Sequence, residues 1–151
     1  MKIDKKFKGL VKEDYRYVFN GDIKTTESLE IDLGMGLFVS GCIEVGGSIE
    51  AGGSIEAGEF IEAGGYYGIV AGLSITCKDT LSFGLKVFAG ICAWREVTDE
   101  EKTITCGKLE NGAVGYGILK ETGLEPEDDD RTEEAMKLLR EKGYKIVKNL
   151  N

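Results

Sequence analysis

The chain has 151 residues and a formal net charge of −8, from 27 acidic and 19 basic side chains, and it contains no histidine. That length supports one domain, and the acid surplus disfavours direct binding to nucleic acid, whose affinity rests on neutralising phosphates with Lys and Arg. The missing histidine removes the usual acid–base group near neutral pH, and Ser–His and Cys–His nucleophiles with it.

Residues 1–28 form a polar N-terminal flank. Met1–Lys8 carries charges with no apolar core behind it, so a signal peptide is not expected, and no run along the chain is long and apolar enough for a membrane span. Tyr15–Phe19 is the one apolar-aromatic run of the flank and reads as a strand.

From residue 31 to residue 93 the sequence keeps a six-residue beat, clearest in Gly-Ser-Ile-Glu-Ala-Gly at 47–52 and 53–58. The lead positions are Ile31, Leu37, Ile43, Ile49, Ile55, Ile61, Tyr67, Leu73, Asp79, Leu85 and Ile91, and only Asp79 is not apolar. Two residues after each lead stands a second apolar residue, from Leu33 to Ala93, without exception. A fixed short period marks a stacked repeat fold. The apolar–polar–apolar triplet is strand alternation, and Gly46-Gly47, Gly52-Gly53 and Gly64-Gly65 read as corners that use glycine's backbone freedom.

Hairpins with Gly-Gly turns are the competing arrangement. A turn at Gly52-Gly53 would pair Glu50 with Ile55 and Ile49 with Glu56. Paired residues share a face, so neither face would be apolar. A chain that always turns the same way keeps every isoleucine inside. Two hexads per coil would stack Asp32, Glu44 and Glu56 on one wall, about 4.8 Å apart, where like charges repel. Three hexads per coil dilute the acids. One wall then carries Asp32, Glu50, Gly68 and Lys86, the second Phe38, Glu56, Ser74 and Cys92, and the third Glu44, Glu62 and Thr80. The expected fold is an all-β solenoid, a single-stranded β-helix with three sides built from hexapeptide repeats over residues 29–120. Ile104/Cys106 and Val114/Tyr116 supply its irregular last coils.

Residues 121–151 are expected to cap the far end. Asp130 is placed to cap a helix with Glu133 completing a capping box, Ala135, Leu138 and Leu139 make its apolar stripe, and Gly143 ends it. Tyr144–Val147 reads as a short strand. A C-terminal capping α-helix therefore belongs to the expected fold.

The hexad resembles the repeat of left-handed β-helix proteins: an aliphatic residue, then Gly, Ala, Glu or Asp, and a small residue four positions after the aliphatic, as in Ile49-Glu50-Ala51-Gly52-Gly53-Ser54. It is also similar to the glycine-rich repeats of bactofilins and of phage-borne proteins. The resemblance covers roughly residues 31–93. It implies an architecture, and the residues leave the hand of the coil open. The hexapeptide transferases among these proteins use a histidine as general base, which this chain lacks, so the resemblance does not bring their activity with it.

The remaining chemistry is mostly excluded. Cys42, Cys77, Cys92 and Cys106 include no Cys-x-x-Cys pair, so a zinc site has no support. Cys42 and Cys92 are expected outward or at corners, and Cys77 and Cys106, each after Ile-Thr, inward. Two disulfides are possible by number, but free thiols suit a repeat core in a reducing cytoplasm. The acidic run Glu125–Asp130 lacks the alternation of a calcium loop and reads as a solvated helix start. No catalytic residue, metal or cofactor is expected.

The candidate partner-binding residues are the wall carboxylates Asp32, Glu44, Glu50, Glu56 and Glu62 together with the aromatics Phe60, Tyr66 and Trp94; these three, with Phe88 and the outward Phe38, fall outside the two apolar columns and either pack beneath the flanks or anchor a partner. The expected function is non-enzymatic: an acidic binding protein in the cytoplasm that engages a basic protein surface. In a phage setting it would inhibit a host nucleic-acid-handling or defence protein in the host cytoplasm. The alternative is a self-associating, bactofilin-like scaffold, and a third reading is an acyltransferase-like protein without activity. A small homo-oligomer is expected, and no membrane partner.

Overall fold

Most apolar–polar–apolar triplets form short strands whose outer two side chains point inward. The computed structural model describes residues 1–64, 68–92 and 95–123. In chain order the strands are β1 Lys2–Ile3, β2 Leu10–Lys12, β3 Arg16–Phe19, β4 Ile23–Thr25, β5 Leu29–Ile31, β6 Gly36–Val39, β7 Ile43–Val45, β8 Ile49–Ala51, β9 Ile55–Ala57, β10 Ile61–Glu62, β11 Ile69–Ala71, β12 Ile75–Cys77, β13 Thr80–Ala89, β14 Thr103–Cys106, β15 Lys108–Tyr116 and β16 Ile118–Glu121. All pair in parallel except β2, which lies antiparallel on β3. The expected helix near Asp130–Gly143 and strand at Tyr144–Val147 lie outside the described residues.

Apart from β2 and β3, consecutive strands do not pair with each other; each pairs with a strand one coil away, which makes a solenoid-like coil of three ladders. The first ladder runs β1–β5–β8–β11 and ends on the second half of β13. The second runs β4–β7–β10 and ends on the first half of β13. The third runs β3–β6–β9–β12–β14–β16. β13 is one ten-residue strand that serves two ladders without a turn between them. β15 covers both of its halves, with bulges.

The core is the inside of this coil, a set of isoleucine columns. Ile23, Ile43, Ile61 and Leu81 stack in the second ladder, and Leu37, Ile55, Ile75 and Ile104 in the third, each nearly free of solvent. Burying one such side chain contributes about 1.5–3 kcal/mol. No buried polar or charged side chain occurs among the described residues.

The coil begins before residue 29. Tyr17 pairs with Leu37 and Ile23 with Ile43, so β3 and β4 are already rungs within the flank, and β2 covers the outer edge of β3. Arg16 fastens this start to the wall. Its guanidinium donates to Glu13 at 3.0 Å and to Glu56 at 3.2 Å, and lies 4.6 Å from the centroid of the Phe38 ring.

The six-residue frame holds from Leu37 to Ala63 and slips by two at either side. Leu29 is followed by the next inward lead at Leu37, eight residues on, and Ile61 by Ile69, again eight. After the second slip the inward leads are Ile69, Ile75, Leu81 and Val87, all buried. The column read through Leu73, Asp79, Leu85 and Ile91 is therefore not the inward one: Asp79 is exposed, Leu85 is 60% exposed and Ile91 is 47% exposed. A two-residue insertion keeps the strand period in phase, which is why the second apolar column hid the slip and the lone acid in the first betrayed it. Coil length consequently varies. Leu29 pairs with Ile49, twenty residues on, and Leu37 with Ile55, eighteen on.

The corner glycines also work differently from the expectation. Between residues 31 and 93 only Gly34 and Gly90, among the described residues, have positive φ. Most of the others are small because the neighbouring coil leaves no room, Gly52 being an exception. A methyl group at Gly46, Gly58, Gly68 or Gly72 would run into the carbonyl oxygen of Thr26, Ser40, Lys86 or Gly52 respectively.

Between β13 and β14 the ladders are interrupted by an excursion that ends in a short 3-10 turn, Glu100–Lys102. Thr98 and Glu101 exchange bonds in a reciprocal cap: the Thr98 N–H donates to Glu101 Oε1 at 3.0 Å and the Glu101 N–H to Thr98 Oγ1 at 3.3 Å. Arg95 grips the same carboxylate with two N–H groups, at 2.9 and 2.6 Å. Arg95 first, and then the Thr98 N–H, hold the Glu101 carboxyl down to about 2.

Candidate functional site: the outer walls

Because inward positions are apolar, chemistry can sit only on the outward residue of each triplet and at the corners. The registers fix which outward residues are neighbours. In the first ladder the outward column is Lys2, Glu30, Glu50, Val70 and Phe88. In the second it is Lys24, Glu44, Glu62 and Ser82. In the third it is Val18, Phe38, Glu56, Thr76, Thr105 and Lys120.

These columns correct the wall assignments. Glu50 stacks with Glu30 and Val70, not with Asp32 and Gly68, because of the two-residue corner insertions. Asp32 lies just past the end of β5, at a corner, 3.6 Å from Lys2 Nζ. Glu44 and Glu62 do share a ladder as expected, with Ser82 in the place given to Thr80. Glu56 is on the third ladder and is engaged by Arg16. The candidate carboxylates thus occupy all three walls rather than one face. Phe60 is half-buried just before β10. Tyr66 and Trp94 lie outside the described residues.

One signal in the sequence was passed over. Between Lys24 and Lys78 there is no lysine or arginine, while Glu27, Glu30, Asp32, Glu44, Glu50, Glu56, Glu59 and Glu62 fall in the same stretch. Glu30 and Glu50 are in direct register, and so are Glu44 and Glu62. Like charges so placed are destabilising, by roughly 0.2–1 kcal/mol per pair. The lysines of the first coil, Lys2 and Lys24, stand at the N-terminal end of these two rows.

The first wall changes character along its length. Past Glu50 it becomes apolar, and a shallow groove of about 480 Å³ runs over it, lined by Ser48, Glu50, Gly68, Val70, Leu85, Lys86 and Phe88 among others. Sequence reasoning placed Phe88 outside the inward columns but assigned Leu85 inward, and so did not join them into one surface.

The four cysteines are free. Cys77 and Cys106 are inward, as the Ile-Thr-Cys pattern implied, and burial pushes their thiols up to about 12 and about 11. Cys42 sits at a corner, between β6 and β7, and is buried there. Its N–H donates to Asp22 Oδ1 at 2.9 Å, burial and then Asp22 push its thiol up, and that N–H in turn holds the Asp22 carboxyl below its ordinary range. Only Cys92 is half-exposed. A thiol reagent at neutral pH should therefore label Cys92 in the native chain and reach Cys42, Cys77 and Cys106 only on unfolding. Rapid native labelling of more than one thiol would contradict these positions.

Among the described residues, no group of three Cys, Asp or Glu side chains stands close enough to hold a metal ion, and no helix is long and apolar enough to cross a membrane. Comparison with protein families, with curated proteins and with solved structures finds no match to the chain.

Proposed function

We propose that the protein is a non-enzymatic binding protein whose acidic walls engage a basic protein surface. The setting that suits this best is the cytoplasm, and in a phage context the host cytoplasm, where such a wall would compete for a groove that normally holds nucleic acid. The reading carries with it that of a hexapeptide-repeat β-helix, supported by the six-residue spacing of most inward leads.

The observation that supports it is the register of the carboxylates. Glu30 on Glu50 and Glu44 on Glu62, in a stretch without a single base, cost stability that the fold does not require. A rigid row of like charges loses little entropy on binding and gains most from an oppositely charged partner. The test is capture from host lysate across a salt series, with the unmodified chain and with Glu44→Lys combined with Glu62→Lys. Both positions are exposed, so the core is untouched. The captured proteins should be basic, released as salt rises and lost on charge reversal; capture that survives reversal contradicts the proposal.

The second reading, a self-associating scaffold, has its own observation. Among the described residues β1 and β4 have no strand on their outer side, and neither do β15 and β16 at the other end. Open parallel edges invite end-to-end stacking. Filaments would show as sedimenting species that grow with protein concentration.

A further inference from the structure

The apolar part of the first wall is self-complementary, and we infer that two copies of the chain pair through it. On the outside of this ladder the side chains fall into two columns. One is Ser28, Ser48, Gly68 and Lys86; the other, two residues further along each strand, is Glu30, Glu50, Val70 and Phe88. Successive rungs are about 4.8 Å apart.

Three adjacent rungs make a rectangle. Glu50 and Lys86 occupy one pair of opposite corners, Ser48 and Phe88 the other, and Gly68 and Val70 lie across its middle. A closed dimer needs a surface that matches itself under a two-fold rotation. When two such walls meet face to face with the axis lying along the Ser48–Phe88 diagonal, each Glu50 faces the other copy's Lys86. The two Phe88 rings meet near the axis and the two Val70 side chains lie against each other beside it.

The charges and the apolar groups therefore satisfy the same operation. Glu50 and Lys86 are both exposed, and neither has a salt-bridge partner among the described residues. Leu85, 60% exposed, stands beside Lys86 and lines the groove, where it would be covered by the second copy. A hydrophobic residue of that size left in water beside Val70 and Phe88 is surface that association removes.

The wall is narrow, smaller than the roughly 800 Å² per partner of a standard interface, so the dimer is weak, with a dissociation constant on the order of 10 µM. The dimer takes up Glu50, but Glu44 and Glu62 are on another ladder and stay available to a basic partner, so the capture test at Glu44 and Glu62 and the dimer test fail independently.

Sedimentation of the full chain over a concentration series tests it. The unmodified chain should shift from monomer to dimer and stop there. Glu50→Lys alone and Lys86→Glu alone should each weaken the dimer about tenfold or more, because each sets like charges together. The double swap, E50K with K86E, should restore it. Leu85→Ser, which changes no charge, should also weaken it. A chain that remains monomeric, grows beyond a dimer, ignores the single reversals or is not rescued by the double swap overturns the inference.

Discussion

Gly72→Ala is expected to cost about 3 kcal/mol or more, whereas Gly52→Ala is expected to be neutral or to stabilise by up to about 1 kcal/mol. The two glycines occupy the same corner in successive coils, since Ala51 pairs with Ala71. At Gly72 a methyl group would meet the Gly52 carbonyl oxygen, which belongs to the backbone and cannot rotate away. At Gly52 nothing lies within 4 Å of the added carbon and φ is not positive. There the substitution only stiffens the unfolded chain. Denaturant unfolding of the two variants checks the contrast. Equal effects would mean that corner glycines are chosen for backbone freedom, not for the approach of the next coil.

The second large effect separates the two readings of the repeat frame. Leu81→Ala should cost about 2–5 kcal/mol, as buried leucines do when truncated. Leu85→Ala should change stability by no more than about 0.5 kcal/mol. Leu81 is fully buried on the Ile61 column, while Leu85 is 60% exposed. The uniform hexad predicts that Leu85 should be as costly to truncate as Leu81, because it makes Leu85 a lead and Leu81 the inward residue two after the lead Asp79. Thermal or urea unfolding decides it, and a severe Leu85→Ala would place the frame slip elsewhere.

What could be read without coordinates was the alternation itself, together with the impossibility of keeping Ile49 and Ile55 on one face of a hairpin. Those two facts require a coil that turns in one direction, and the glutamate spacing leads to three strands per turn. The position of the corners was not legible. Strand side chains alternate with period two, so the two extra residues before Leu37 and before Ile69 leave the apolar pattern unbroken. Every assignment that counted eighteen across one of these two insertions then failed, including Asp32 with Glu50, Glu56 with Ser74 and Glu62 with Thr80. Assignments within a single unslipped stretch, such as Glu44 with Glu62 or Phe38 with Glu56, survived. The apolar groove was invisible for the same reason: Leu85 had been spent on the core. β3 and β4 escaped the repeat because Tyr17 and Phe19 replace the aliphatic pair and Thr25 closes the β4 triplet.

The unequal corners separate contour length from rise. Ile55 pairs with Ile75 after twenty residues, Ile75 with Ile104 after twenty-nine and Ile104 with Leu119 after fifteen, yet each step climbs one strand spacing. The ladder records only whether a segment returns in phase, not how far it travelled. Corners are in that sense ports. Residues can enter or leave there without renumbering the core, and the stretch between β13 and β14 is the one the chain has already opened widest. A foreign peptide spliced into it would be carried at a fixed height on the post, with the isoleucine columns above and below unaware of it.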